Sequence, residues 1–240
     1  HLAPQFINGT TGNGSTWQVA DIYNVGTASS GPHSLMLVGG VLYFLAGTAD
    51  GRELWAHDPS NRSTWQVADI NSGSGHGMTS GKFMLIGDTL YFSADDGITG
   101  KELWAHDTSN HSTWQVADIN SGSGDSNLGA NMHYLVGDTL YFGANDGSTG
   151  HELWAHNTSN HSTWQVIDLW TGGSNGNIHG SFPGSKLDVL VGDTLYFGAS
   201  DGTYNSGGTT QTLWAHDTSN HSTWRVNDGS GNGFGVQLFM

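Results

Sequence analysis

The residues with the richest chemistry in this chain recur along it. Asp69-Ile70-Asn71-Ser72-Gly73 and Asp118-Ile119-Asn120-Ser121-Gly122-Ser123-Gly124-Asp125 place side-chain oxygens at alternate positions of a glycine-containing loop. A hard divalent cation such as calcium takes several oxygens from a flexible loop of this kind, which makes Asp69, Asn71, Asp118, Asn120 and Asp125 its candidate ligands. No Glu follows at the twelfth position, so neither loop is an EF-hand. The same spacing also suits an Asx turn that ends a strand, with the carboxylate capping backbone N–H groups. Asp21, Asp168 and Asp228 occupy the equivalent place without the full pattern.

Histidine recurs too. His57, His106, His156 and His216 each close a Leu-Trp-Ala-His run. Four imidazoles on a symmetric ring can ligate a metal, but at this place in a repeat they stand too far apart to share one ion. The other role is a strand-end His bonded to its turn. His111, His161 and His221 sit in Asn-His-Ser turns and are expected to face solvent. No Gly-x-Ser-x-Gly elbow and no Walker-type phosphate loop occurs. Catalytic residues usually break a repeat, whereas most acids and histidines here follow it. The ones that depart from it, Asp125, Asp188, His76, His133 and His179, are scattered, and His33, His76, His133 and His179 keep a single axial enzyme site as an alternative.

Tryptophan supplies another possible binding chemistry. Trp17, Trp65, Trp114, Trp164 and Trp224 form one repeated set, and Trp55, Trp104, Trp154 and Trp214 a second. Exposed rings stack on sugar faces; buried ones fill space between sheets, each covering about 150–250 Å². The repeated rings lie mid-strand among Leu, Val and Ile, which favours burial. Trp170 replaces the Asn of Asn71 and Asn120 and lies in a loop, so it is the candidate exposed ligand-binding ring. Asn-x-Ser/Thr sequons occur at Asn8, Asn13, Asn61, Asn110, Asn157, Asn160 and Asn220. Asn61, Asn110, Asn160 and Asn220 are copies of one turn and the candidate glycosylation sites.

These residues are positioned by an internal repeat. The Ser-Thr-Trp tryptophans recur at intervals of 48, 49, 50 and 60 residues, the last lengthened by an insertion near Tyr204–Gly208. One repeat reads as four short strands: Met132–Val136, Thr139–Ala144, Glu152–His156 and Ser162–Asp168. Gly137-Asp138, Asn145–Gly150 and Asn157–His161 turn the chain between them, and Gly-Asp and Asp-Gly pairs between apolar runs are strong hairpin signals. No window holds a helical period.

Four antiparallel strands per roughly 40–50 residues is the signature of a propeller blade. Sheets stacked face to face bury both sides, which explains the continuous apolar runs Leu-Tyr-Phe and Leu-Trp-Ala. The expectation is an all-β, five-bladed β-propeller in a single domain. Its repeats span about 34–70, 83–119, 132–169 and 187–228, and residues 1–22 and 234–240 form a fifth, composite blade closed by both termini. One strand of that blade has no counterpart in the sequence. The blade then has three strands, or the chain belongs to a longer protein, or a terminal strand docks on a neighbouring molecule.

Composition narrows the function classes. The 240 residues include 37 Gly, 10 Trp and no Cys, and carry a formal charge of -15. Disulfides, thiolate metal sites and Cys nucleophiles are absent. The charge argues against nucleic acid and anionic membranes, which need a basic face. No apolar run approaches the roughly 20 residues that cross a bilayer as a helix. With 35% hydrophobic residues, the Gly content does not signal disorder. The chain begins at His1, which fits a removed signal peptide or a boundary within a longer protein.

Glu53-Leu54-Trp55-Ala56-His57-Asp58, Glu102-Leu103-Trp104-Ala105-His106-Asp107 and Glu152-Leu153-Trp154-Ala155-His156-Asn157, with Asp96-Gly97 and Asp146-Gly147 before the latter two, resemble a known repeat class. It is the Glu-Leu-Trp-x-x-Asp-Gly-Thr repeat of secreted prokaryotic proteins. The resemblance covers about residues 40–228 and departs where Asp-Pro-Ser or Asp-Thr-Ser replaces Asp-Gly-Thr, and at Thr212-Leu213-Trp214, which lacks the Glu. It implies a propeller-like extracellular protein and no particular reaction, and a fold alone does not set a function. The expected role is an extracellular or cell-surface, non-catalytic binding module for glycans or another surface protein, with calcium as its only candidate cofactor. The rival is a structural subunit that self-associates through terminal strands.

Overall fold

The computed structural model describes residues 6–7, 16–24, 28–79, 82–128, 133–171, 181, 183, 188–202, 204–205, 208–209 and 212–226. Every regular element among them is a strand. The N-terminal pair is β1 (Phe6–Ile7) and β2 (Thr16–Trp17), antiparallel, with Phe6 opposite Trp17. Four four-stranded antiparallel sheets follow. The first holds β3 (His33–Val38), β4 (Val41–Thr48), β5 (Gly51–Asp58) and β6 (Ser63–Ala68). The second holds β7 (Met84–Ile86), β8 (Thr89–Asp95), β9 (Lys101–Asp107) and β10 (Thr113–Ala117). The third holds β11 (His133–Val136), β12 (Thr139–Asn145), β13 (His151–Asn157) and β14 (Thr163–Ile167). The fourth holds β15 (Asp188–Val191), β16 (Thr194–Ala199), β19 (Thr212–Asp217) and β20 (Thr223–Arg225). The insertion forms its own small pair, β17 (Tyr204–Asn205) with β18 (Gly208–Thr209).

Each sheet is a meander in sequence order, as short hairpin loops require. The first turn of each is two residues long and begins with a glycine in the left-handed region: Gly39, Gly87, Gly137 and Gly192 have φ of 57, 59, 57 and 60°. That backbone matches strand twist and excludes most side chains. Four four-stranded sheets stand among the described residues; residues 234–240, which the fifth blade would need, lie outside them.

The chain divides into two compact units, His1–Gly97 with His106–Thr113, and Ile98–Ala105 with Trp114–Met240. In the first unit β4 buries Tyr43, Phe44, Leu45 and Ala46 in succession, so both faces of its sheet are covered there. In the second unit the third and fourth sheets share a core. Tyr141, Leu153 and Ala155 meet Leu195, Phe197 and Trp214, with Leu190 and Trp164 packed alongside. Backbone hydrogen bonds tie each connecting segment to the second strand of the sheet it leads into. Gly47, Asp95, Asn145 and Ser200 donate their N–H groups to the carbonyls of Ser30, Gly77, Ser126 and Ser181 at 2.8, 2.8, 2.7 and 2.9 Å.

Candidate functional site

The third strand of three sheets carries a buried glutamate at its second or third residue. Glu53, Glu102 and Glu152 are 2%, 0% and 0% exposed, inside runs that are otherwise apolar. Each is surrounded by N–H groups from the loop that leaves the fourth strand. Ile70 and Gly77 donate to the Glu53 carboxylate at 3.0 and 2.8 Å, and Asn71 at 3.4 Å. Ile119 and Asn120 donate to Glu102 at 2.8 and 3.3 Å, and the Ser126 hydroxyl donates to the adjacent Lys101 carbonyl at 2.8 Å. Leu169 donates to Glu152 at 3.2 Å, and the Ser181 N–H and hydroxyl complete the cage. The pairing with the fourth strand shifts register between Leu54 and Trp55 and again between Leu153 and Trp154, next to the Glu53 and Glu152 carboxylates. In the sequence these glutamates stand only as letters of the Glu-Leu-Trp motif. Their signal was there: a Glu in an apolar strand, always 17 residues before the first N–H it accepts.

The Asp-x-Asn-x-Gly loops themselves supply this cage. The Asp-x-Asn-x-Gly loops turn N–H groups inward onto a carboxylate, whereas a cation site turns oxygens inward. Asp69 and Asp118 lie on the exposed side. Asn120 donates its amide to the Asp125 carbonyl at 3.0 Å, and Asp125 accepts the Lys101 N–H at 2.9 Å. Asn71 sits against Gly75 and Gly97, and Asn120 against Gly124 and Gly147, where an added Cβ would meet the amide at 2.2, 2.8, 2.6 and 2.5 Å. Among the described residues no three His, Cys, Asp or Glu side chains are placed to hold a metal ion.

Trp170 takes the Asn place in the third repeat, and with it the same packing role. Its ring is half-buried, and its Nε1 lies 2.6 Å from where a Cβ on Gly202 would stand. It is a loop latch rather than the free exposed ring expected from sequence. Trp214 is buried, while Trp55, Trp104, Trp154, Trp65, Trp114, Trp164 and Trp224 are half-buried; Trp17 on the N-terminal pair is 54% exposed. A uniform set of stacking rings is therefore absent among these positions, and so is a uniformly buried one.

The strand-end histidines have a local role, and their bond goes across the strand pair and not to the turn. His57, His106, His156 and His216 each share a hydrogen bond through Nδ1 with the hydroxyl of Thr64, Thr113, Thr163 or Thr223 across the strand pair, at 2.8, 2.9, 2.9 and 2.9 Å. His106 packs on Tyr43 and His216 on Tyr141, with ring centroids 5.7 and 5.5 Å apart. The candidate glycosylation residues Asn61, Asn110, Asn160 and Asn220 are exposed at the tip of the third turn. Arg62, His111, His161 and His221 follow them with φ of 62, 62, 61 and 60°. In the first and third sheets the sequons and the caged loops lie at opposite ends, because the third and fourth strands run antiparallel between them.

The caged carboxyls and the strand-end imidazoles make stability depend on pH in opposite senses. Burial pushes Glu102 and Glu152 up to about 7 from 4.5. Burial, aided by the neighbouring turn imidazole, pulls His106, His156 and His216 down to about 4 from 6.5. As pH falls from about 7 to 4.5 the folded glutamates take protons before the unfolded ones do, so these groups favour the fold. As pH falls from 6.5 to about 4 the unfolded histidines take protons that the folded ones refuse, so these groups oppose it. Burial also raises Glu53 and lowers His151, so four histidines stand against three glutamates where the windows overlap. Thermal melts across pH 4 to 8 are expected to show greatest stability at about pH 6.5, with a steep acid limb below about 4.5 that His106→Gln makes shallower. A melt profile that is flat on the acid side contradicts this account.

Comparison with known proteins bears on the fold alone. No family model and no curated protein matches the sequence. Among solved structures, puromycin hydrolase superposes with TM-scores of 0.52 and 0.51 in two crystal structures, at 12% and 13% identity; 85% and 84% of this chain is covered, against 30% and 29% of that one. TolB from Acinetobacter baumannii is similar at a TM-score of 0.42 and 13% identity, over 83% of this chain and 40% of that one. The structural neighbours are β-propeller proteins, and this all-β chain shares that architecture in its four described sheets. It spans about a third of the length of puromycin hydrolase.

Proposed function

We propose that the chain is an extracellular, non-catalytic binding module, a five-bladed propeller whose fifth blade is closed by both termini, and that its ligand is carbohydrate. One observation carries the non-catalytic reading: the repeated ionisable side chains are used in architecture. Each repeated Glu is caged by loop N–H groups and each strand-end His is bonded to a Thr hydroxyl, so neither is presented to a substrate. What the repeats present instead are exposed Asp69, Ser72 and Gly73 in one loop and Asp118, Ser121 and Gly122 in the next. Carboxylates, hydroxyls and bare backbone in a fixed loop are suitable partners for sugar hydroxyls. The cage beneath holds that loop in shape without using its outward groups.

A glycan array followed by calorimetry tests this. Binding is expected to a defined glycan class, and the double variant Asp69→Asn/Asp118→Asn should weaken it at least fivefold while leaving the melting temperature unchanged. No signal on any glycan overturns the carbohydrate reading. It would favour the structural-subunit reading, which draws on a different observation: Val189, Val191 and Leu213 of the fourth sheet are 52%, 60% and 37% exposed.

A further inference from the structure

We propose that Asn160 is the preferred N-glycan acceptor of the folded chain, set apart from Asn61, Asn110 and Asn220 by the residue three places before it. The proposal rests on the extracellular reading only for its physiological occasion; the acceptor chemistry belongs to the turn itself.

All four asparagines are exposed, so access does not separate them. Their amide nitrogens do. In three turns the Nδ2 group donates to a carboxylate of the same turn: Asn61 to Asp58, Asn110 to Asp107 and Asn220 to Asp217, at 2.8, 2.8 and 2.9 Å. Those carboxyls lie below their ordinary range because Ser60, Ser109 and Ser219 also donate to them, so they stay charged acceptors near neutral pH. In the third repeat Asn157 stands where the others have Asp. Its Oδ1 still accepts from Ser159 and from the Asn160 N–H. Its second terminal atom is now an amide nitrogen, a donor that has no lone pair for the Asn160 Nδ2 group. The bond made in the other three turns has no counterpart there.

The opposite side of the Asn160 amide is also arranged for transfer. The Ser162 hydroxyl donates to Asn160 Oδ1 at 2.7 Å, a bond that Ser112 makes to Asn110 at 2.6 Å. Asn160 therefore joins a hydroxyl on its carbonyl oxygen to an uncommitted nitrogen, and Asn110 has the first without the second. In the reaction the Nδ2 atom bonds to the anomeric carbon of a lipid-pyrophosphate-linked oligosaccharide. The bond from that carbon to the pyrophosphate oxygen breaks, the lipid pyrophosphate leaves, and Nδ2 gives up one proton to the transferase. An N–H already held by a charged carboxylate must be released first. The turn's bonds span only two or three residues, so the distinction is local and persists wherever the turn forms.

The test uses purified folded protein, a single-subunit oligosaccharyltransferase and a lipid-linked oligosaccharide, with occupancy at each site read by mass spectrometry after enzymatic release in heavy-oxygen water. Occupancy at Asn160 is expected at least threefold above each of the other three. Asp107→Asn should raise occupancy at Asn110 at least threefold, and Asn157→Asp should lower it at Asn160 by a similar factor. Urea-unfolded protein supplies the reference in which the preference disappears. Equal occupancy at the four sites, transfer to Asn157 in place of Asn160, or a preference that survives unfolding each overturns the proposal. Because the transferase is added in vitro, these outcomes are independent of where the protein resides, which is tested by locating the native protein.

Discussion

Glu152→Ala is expected to lower the thermal midpoint by about 6–12 °C, the equivalent of about 3 kcal/mol at roughly 2–4 °C per kcal/mol for a domain of this size. The substitution leaves the Leu169 and Ser181 N–H groups without their acceptor, and leaves the Ser181 hydroxyl only the His151 carbonyl at 3.4 Å. A buried donor without a partner costs about 1–3 kcal/mol. Part of that cost is offset because the native carboxyl, pushed up to about 7, is itself destabilised by burial when charged. Glu152→Gln preserves the shape and one acceptor oxygen, so it should lose no more than about a third as much. The contrast is the informative part. If Ala and Gln cost the same, the cage contributes through volume and not through hydrogen bonding. The effect should extend beyond the loop, because Ser181 also accepts from Ser200 at 2.9 Å, and Ser200 directly follows a strand of the fourth sheet.

Gly51→Ala is expected to be more damaging still, at more than about 4 kcal/mol, enough to leave much of the protein insoluble at expression temperature. Gly51 starts β5 with φ +106°, a conformation that L side chains rarely adopt, and a Cβ there would stand 1.6 Å from the Gly75 carbonyl oxygen. Backbone sits on the other side of that clash, so no rotamer change relieves it. Gly73 is the control. It has φ +95° with nothing within 4 Å of the added Cβ, so Gly73→Ala carries only the backbone term, about 1–2 kcal/mol. Urea unfolding of the two variants separates the steric part from the conformational part. Equal midpoints would show that the close approach of the Gly75 segment is not maintained in solution.

Much of the strand pattern was legible in the sequence because it is local. Gly-Asp pairs between apolar runs specify two-residue hairpins from the backbone preferences of their own residues. The resulting registers, such as Tyr134 opposite Tyr141 and Leu135 opposite Leu140, follow from turn length. The strand-end place of His156 was legible for the same reason, whereas its bond is made across the strand pair to Thr163 and not to the turn.

The candidate site was less legible. Asp69 and Asn71 carry the letters of a cation loop, and nothing within the loop says whether its N–H groups or its oxygens will turn inward. Glu53, on a strand already completed, decides that from 17 residues away. Trp170 gives the same lesson. From sequence it is a large ring in a polar loop; in the structure Gly202, 32 positions later, leaves the space that receives it.

The sequence by itself thus determined the repeat, the four-stranded unit, the turns and the absence of thiol chemistry, since these depend on neighbours a few residues apart. Only the tertiary structure decided which way the loops face, which acids are buried and which rings are latches. Those outcomes depend on desolvation and on hydrogen bonds between segments that meet only when one strand packs beside the next.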